Sequence, residues 1–268
     1  MSQCYKCPRR AVIYQRYSGM HLCREHFEAD VNRKIREAIR KTGLFGRGAR
    51  VAVGLDGGRN SATLAYVLKN LFSRRRDIDL LAIVIDEGEA HSPTSKEACL
   101  VAEQLGMTTV IKSLPHLQDE ASVQSCFSRH RQLLYAAAED CEASIIATGE
   151  DLDDEALEIF VRYLQGDLEG REREGGASGE VCAAGLPWIK PLSRVPKKEV
   201  RLYAIGRNLG YGAGTQPCAD ALHREAKRHL FDFDCRHPGT NYSLLRGWER
   251  GLSPEVPARA KPLSKDVK

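Results

Sequence analysis

Two stretches of this chain carry residue types at spacings that could do chemistry. The first is Cys4-Tyr5-Lys6-Cys7, then fifteen residues, then Cys23-Arg24-Glu25-His26. Two such knuckles can set three thiolates and one imidazole tetrahedrally around zinc. Four protein ligands leave no open position, so the expected role of the metal is structural. The second stretch is Val51-Ala52-Val53-Gly54-Leu55-Asp56-Gly57-Gly58-Arg59-Asn60-Ser61. An apolar run into adjacent glycines, followed by the helix-compatible run Ser61–Leu68, reads as a buried strand turning sharply into a helix N-terminus. Backbone N–H groups in such a turn form an anion nest, and the helix dipole adds to it. Phosphate or pyrophosphate is one reading of that turn and an ordinary glycine-containing βα turn is the other.

A third stretch is acidic. Gly149-Glu150-Asp151-Leu152-Asp153-Asp154-Glu155 holds five carboxylates in seven residues. Acids at a helix start complement the dipole, with Asp153 as the expected N-cap, which accounts for one or two of them. Carboxylates at a strand end beside a phosphate nest also hold Mg2+ or position a nucleotide.

The elements that must position these residues can be read from the apolar pattern. Ala11–Tyr14, a turn at Ser18-Gly19 and His21-Leu22 read as a hairpin too small to fold without a staple. Residues 27–43 carry Phe27, Val31, Ile35 and Ile39 at helical spacing. The basic residues of that helix, Arg33, Lys34, Arg36, Arg40 and Lys41, face either a nucleic acid or solvent. From residue 50 strands and helices alternate: strands at Leu80–Ile85, Thr108–Ile111 and Ser144–Gly149, helices near 94–105, 121–141 and from about 153. Continuous apolar strands separated by helices imply a parallel sheet covered on both faces, with ligands beyond the strand carboxyl ends. That edge gathers Asp56–Ser61, Ile85-Asp86 and Gly149–Asp154. Residues 166–185 read as a mobile surface loop, Lys197 opens a helix to about Asn208, a basic helix spans 223–229, and a last helix starts within His237–Arg246.

The expected division is a zinc-binding knuckle module at 1–28, a linking helix at 29–48, a nucleotide-binding domain at 49–215, a C-terminal helical, tRNA-facing segment at 216–252 and a disordered tail at 253–268. At 268 residues with 42% apolar content the chain can build a real core, and its net charge of +4 is mild. No apolar run is long enough to span a membrane. The polar, cysteine-bearing N-terminus does not read as a signal peptide, and nine cysteines, an odd number, fit reduced thiols in a cytoplasm.

Taken in order, these motifs resemble the PP-loop ATP pyrophosphatases that thiolate tRNA, in the two-thiouridine synthetase branch, over nearly the whole chain. That branch has an N-terminal zinc knuckle like Cys4, Cys7, Cys23 and His26. Its Ser-Gly-Gly-Lys-Asp-Ser motif aligns with Asp56 through Ser61, and its Gly-His-Asn-Leu-Asp-Asp-Glu motif with Gly149 through Glu155. Ile85–Gly88, Ile189–Leu192 and Pro238–Arg246 also match. The fold so implied is an α/β parallel sheet with helices on both faces, of the adenine nucleotide alpha hydrolase type, plus the small zinc module. The implied reaction adenylates a uridine carbonyl with ATP and Mg2+, releases pyrophosphate and displaces AMP with sulfur. By position, Val53, Gly54, Leu55, Gly57, Gly58, Arg59, Ser61, Ile85, His130, Gly149 and Asp154 would surround the nucleotide. The family's sulfur chemistry uses a Cys-x-x-Cys pair plus a later cysteine, matched here by Cys126 and Cys218, and in some members these hold an iron–sulfur cluster. Implied partners are tRNA, a sulfur donor such as a ubiquitin-like sulfur carrier protein, and a second copy in a homodimer.

The chain departs from the family at several of these positions. Val123 stands where the pair's first cysteine would be, leaving one ligand too few for a three-cysteine cluster but enough for a persulfide–disulfide cycle. In the nucleotide turn Asp56 replaces serine, Arg59 lysine and Asn60 aspartate. Asp56 is the gravest change: a carboxylate against a phosphate at ~4 Å is unfavourable by ~4 kcal/mol at an effective dielectric of ~20. Arg59 offsets part of that, or Asp56 turns away and caps its own helix. A catalytically degenerate relative that binds tRNA or a partner is the competing functional class.

Overall fold

A computed structural model describes residues 2–86, 93–113, 123–167, 180–181, 185–209 and 221–252. The N-terminal hairpin pairs β1 (Ile13–Gln15) with β2 (Met20–Leu22) and runs into α1 (Arg24–Thr42). Three residues per strand bury too little for independence, so Ile13, Leu22 and Cys23 pack with Phe27, Val31 and Ile35 of α1. The main sheet comprises β3 (Arg50–Leu55), β4 (Asp79–Asp86), β5 (Thr108–Ser113), β6 (Ile145–Ala147), β7 (Glu180–Val181) and β8 (Pro187–Ile189). Its order is β5-β4-β3-β6-β8-β7, parallel throughout except for β7, which runs antiparallel at the edge. The expected parallel sheet is present. Residues 180–181 depart from the expected loop, because a two-residue edge strand is too short to show any period.

Helices α2 (Arg59–Leu71), α3 (Pro93–Gln104), α4 (Val123–Asp140) and α5 (Leu152–Gln165) follow successive strands. They are joined by α6 (Lys197–Arg207), α7 (Ala221–Arg236) and α8 (Thr240–Leu252). The core lies on both faces of the sheet. Leu64 and Leu68 of α2 join Val51, Val53 and Val200 in one cluster, while Leu134, Ala137 and Ala138 of α4 meet Ala52, Leu81 and Ile83 in the other. Leu152 and Ile159 of α5 pack on Leu245 and Trp248 of α8. Chain order reverses between β3 and β6, so the crevice beyond their carboxyl ends is a topological switch point.

A buried polar network joins the hairpin to the main domain. Gln15 Nε2 donates to Asp30 at 3.0 Å and to Glu199 of α6 at 2.9 Å, and Lys34 Nζ reaches Glu199 at 2.8 Å and the Tyr17 hydroxyl at 2.6 Å. Lys34 is therefore buried and internally paired, and does not belong to the basic face expected of its helix. The expected tail beyond 252, the Gly212–Pro217 segment and Cys218 lie outside the described residues, as does the side chain of Cys126.

Candidate functional site

The knuckle residues converge. Cys4 Sγ and Cys23 Sγ each lie 3.4 Å from His26 Nδ1, Cys7 Sγ lies 3.6 Å from Cys23 Sγ, and all four ligand atoms fall within 4.8 Å of one another. Two elements do this: the turn closed by the Gln3–Arg10 bridge, ahead of the hairpin, presents Cys4 and Cys7, and the first turn of α1 presents Cys23 and His26, with Cys23 as its N-cap. Burial raises the Cys4 thiol, but hydrogen bonds from the Cys23 and Lys6 backbone, His26 and Cys7 outweigh it and bring it to about 6. A thiol so lowered is a thiolate at neutral pH, the form that binds metal. The donor set suits zinc in a closed, structural site.

The second site forms at the switch point. Gly57 adopts φ +74°, and a Cβ there would sit 2.4 Å from the Thr94 carbonyl oxygen, so the turn requires glycine twice over. A Cβ on Gly149 would lie 2.9 Å from Ser61 N, so that glycine lets the end of β6 meet the start of α2. Gly54 packs its bare backbone against Leu134 and Thr148, Val53 is fully buried, and Leu55 closes β3. The nest itself has an occupant. Asp56 Oδ1 accepts the Gly58 N–H at 2.9 Å and the Ser61 hydroxyl, while Ser61 Oγ accepts the Asp56 N–H at 3.3 Å. Of the two outcomes open to Asp56, the carboxylate turns inward and caps its own turn. The groups that the family resemblance assigns to a phosphate oxygen hold a carboxylate oxygen of their own turn instead.

Each acid of 150–155 has a distinct placement. Asp151, not Asp153, is the N-cap of α5: its Oδ1 accepts Asp153 N and Asp154 N at 2.9 and 3.0 Å, and Asp154 answers as a capping box. Asp153 instead accepts the Lys197 backbone N–H at 2.8 Å, capping α6, a helix far away in sequence. Asp154 pairs with Lys197 Nζ at 2.9 Å and Glu155 with Lys190 at 2.9 Å. Lys197 thus faces acids of the site. Glu150 Oε2 is buried without a hydrogen-bond partner among the described residues. Asn60 Nδ2 donates to Asp151 Oδ2 at 2.9 Å and so links the two helix starts. Burial, reinforced by Asp154, pushes the Asp151 carboxyl up to about 7 against the opposing charge of Lys197.

Ile85 and Asp86 end β4, where Ser95 donates to Asp86 at 2.9 Å. His130 is half-buried on α4, next to Arg131, whose guanidinium lies 4.9 Å from the Trp188 ring. The capping of α6 by Asp153 and the Lys197–Asp154 pair had no signal in the sequence, since both span more than 40 residues.

A model described as the PP-loop domain matches residues 27–230, and one described as the 2-thiouridine synthetase TtuA N-terminal LIM domain matches residues 3–28. The tRNA 2-thiolation protein NcsA of Haloferax volcanii is 32% identical over 92% of this chain and 86% of its own. The tRNA-5-methyluridine(54) 2-sulfurtransferase of Pyrococcus horikoshii is 28% identical over 95% and 85%. Among solved structures, the U34-tRNA thiolase NcsA from Methanococcus maripaludis, described with its [4Fe-4S] cluster, superposes with a TM-score of 0.84 at 26% identity. That superposition covers 94% of this chain and 87% of the other.

Proposed function

The chain belongs to the PP-loop family, and from that premise we propose that it thiolates tRNA in an ATP-dependent reaction. The observation that supports this best is the meeting of an anion nest and an acidic helix start at the β3/β6 switch point. Gly57, Gly58 and Ser61 cradle the pyrophosphate, with Arg59 beside them at the helix start. Val53, Gly54, Leu55 and Ile85 form the floor under the nucleoside, and Gly149, Asp154 and His130 line its flanks. Mg2+ bound with the phosphates would share their charge with Asp154, and the unpartnered Glu150 Oε2 is an acceptor suited to a cation or a ribose hydroxyl.

The chemistry follows from these groups. The uridine C2 oxygen attacks the α-phosphate, and N–H groups at the start of α2 stabilise charge growing on the leaving pyrophosphate. Sulfur then adds at C2 and AMP departs with the former carbonyl oxygen. Sulfide-level sulfur from the donor would attack a Cys126–Cys218 disulfide, leaving a persulfide on one cysteine and a thiol on the other. Once the persulfide sulfur has added to C2, the thiol attacks the inner sulfur and the disulfide re-forms. With Val123 in place of a third thiol, the donor set does not fit a three-cysteine cluster. Zinc in the knuckle staples the hairpin. The sulfur donor, a ubiquitin-like carrier among the candidates, the homodimer, the division at 28, 48, 215 and 252, and a cytoplasmic setting belong to the same proposal.

Deleting the gene and measuring thiolated nucleosides in tRNA tests it. Loss of 2-thiouridine is expected, and mapping the lost group to position 34 or 54 assigns the site; an unchanged profile overturns the reading. The second reading, a tRNA- or partner-binding relative without catalysis, is favoured by one observation: Asp56 already fills the nest.

A further inference from the structure

The outer face of the zinc hairpin takes no part in the chemistry above. Residues 1–24 include Lys6, Arg9, Arg10, Arg16 and Arg24 and no Asp or Glu. Arg9 pairs with Glu25 and Arg24 with Glu28, whereas Lys6, Arg10 and Arg16 are exposed and have no acidic partner among the described residues. On the same hairpin, Tyr14 stands directly opposite His21, and their rings stack 4.4 Å apart at 20°. Alternation puts Ile13, Gln15 and Leu22 on the buried face and this pair on the other, leaving Tyr14 48% and neighbouring Tyr5 77% exposed. A shallow groove of about 240 Å³ runs along the pair, lined by Ser2, Arg10, Val12, Tyr14 and His21.

We propose that this face is a stacking platform for an unpaired nucleobase of RNA, with Tyr14, backed by His21, meeting the base and Lys6, Arg10 and Arg16 the flanking phosphates. The proposal rests on the reading of the chain as a tRNA-modifying protein. Proteins that read unpaired RNA splay a base onto an aromatic side chain and hold the backbone with cations. The cations alone would suit any polyanion, an acidic peptide included. The outer ring face of exposed Tyr14, backed by the stacked His21 ring, is what selects a planar π ligand. The platform is also held at a fixed offset from the nucleotide turn. Tyr17, at the end of the hairpin, donates to Glu199 of α6 at 2.7 Å, and Lys197 at the start of α6 pairs with Asp154.

Fluorescence anisotropy on the full-length, zinc-loaded chain tests this with a tRNA transcript and a blunt RNA duplex. Tyr14→Ala is expected to weaken tRNA binding by about 5- to 150-fold, the range for loss of one base stack, and to leave duplex binding unchanged. Tyr14→Phe, which keeps the ring, is expected to bind tRNA like the parent. Arg10→Ala is expected to weaken both RNAs and to lower the salt slope by about one. Zinc content and melting temperature report folding, and if Tyr14→Ala loses zinc, Tyr14→Leu takes its place. Unchanged tRNA affinity in the ring-less variant sinks the platform alone, as does equal loss on tRNA and duplex. So does a change in self-association or in binding of an acidic peptide without a change on tRNA. A parent protein that binds neither RNA overturns the functional reading, and the platform with it.

Discussion

The Cys/His knuckle and the β3–α2 turn both gather polar groups at a helix N-terminus, and they differ in how those groups are answered. At the knuckle three thiols and an imidazole converge within 4.8 Å as a metal donor set, with the Arg9 guanidinium hydrogen-bonded to Cys7 at its edge. That donor set calls for a metal. At the turn, Gly58 N–H and the Ser61 hydroxyl converge on an anion that the chain itself supplies, Asp56. One motif kept every ligand and depends on something from outside. The other kept its glycines, exchanged three side chains and satisfied itself. Preserved backbone geometry therefore does not imply a preserved ligand: the glycines fix the shape of the turn, and the side chain at 56 decides what fills it.

The largest effect should come from breaking the knuckle's side of this contrast. Binding free energy in small structural zinc sites is on the order of 10 kcal/mol and is largely folding free energy. Chelation, or Cys23→Ser, is expected to abolish amide protection across residues 3–28 while the main sheet keeps its own. Hydrogen exchange checks this, together with one zinc per chain by metal analysis. Protection that survives complete metal removal would place the knuckle with the turn, as an internally satisfied structure.

Asp56→Ser breaks the other side. It replaces the resident anion with a hydroxyl that can donate to phosphate. Removing one carboxylate–phosphate repulsion of ~4 kcal/mol corresponds to an ATP affinity gain of up to ~1000-fold. Calorimetry with ATP and Mg2+ should show weak binding by the parent and tight binding by the variant. A parent that binds ATP as tightly as the variant would mean that Asp56 leaves the nest readily, and would return the turn to the status of an ordinary PP-loop.

How far each region was legible in the sequence follows the same divide. The knuckle's four ligands sit in two short local repeats, so spacing alone gave the set. The parallel sheet was legible because Val51–Leu55 and Leu80–Ile85 are buried on both faces and read as continuous apolar runs. Position within the acidic motif was not. Asp151 and Asp153 both precede helix-compatible residues. What separates them is α6, which arrives at Asp153 from 44 residues away. Lys34 looked like one of five cations facing a nucleic acid or solvent because its partner Glu199 lies 165 residues on. Long-range polar pairing has no period, so neither contact leaves a trace in local pattern.

The smallest predicted effect joins the two halves of the nucleotide site. Where the family motifs have Asp and Asn, this chain has Asn60 and Asp151, with the acid and amide exchanged across a 2.9 Å contact. Asn60→Asp alone sets two carboxylates against each other in a part-buried place and leaves Asp151 Oδ2 without its Asn60 donor, a loss on the order of 2 kcal/mol. Adding Asp151→Asn should restore most of it, giving a coupling energy of similar size in a double-mutant cycle read by denaturant melts. Additive losses would mean that the contact contributes nothing to aligning α2 with α5. The pH dependence supplies the sign. The carboxyl of Asp151 sits at about 7 in the fold and near 4 when unfolded, so the folded state favours its protonated form. That contribution is complete below about pH 4 and fades as pH rises through about 7, at up to ~1.4 kcal/mol per unit. Asp151→Asn should therefore flatten the stability profile between those limits, and a variant that keeps the parent's slope would assign it to another group.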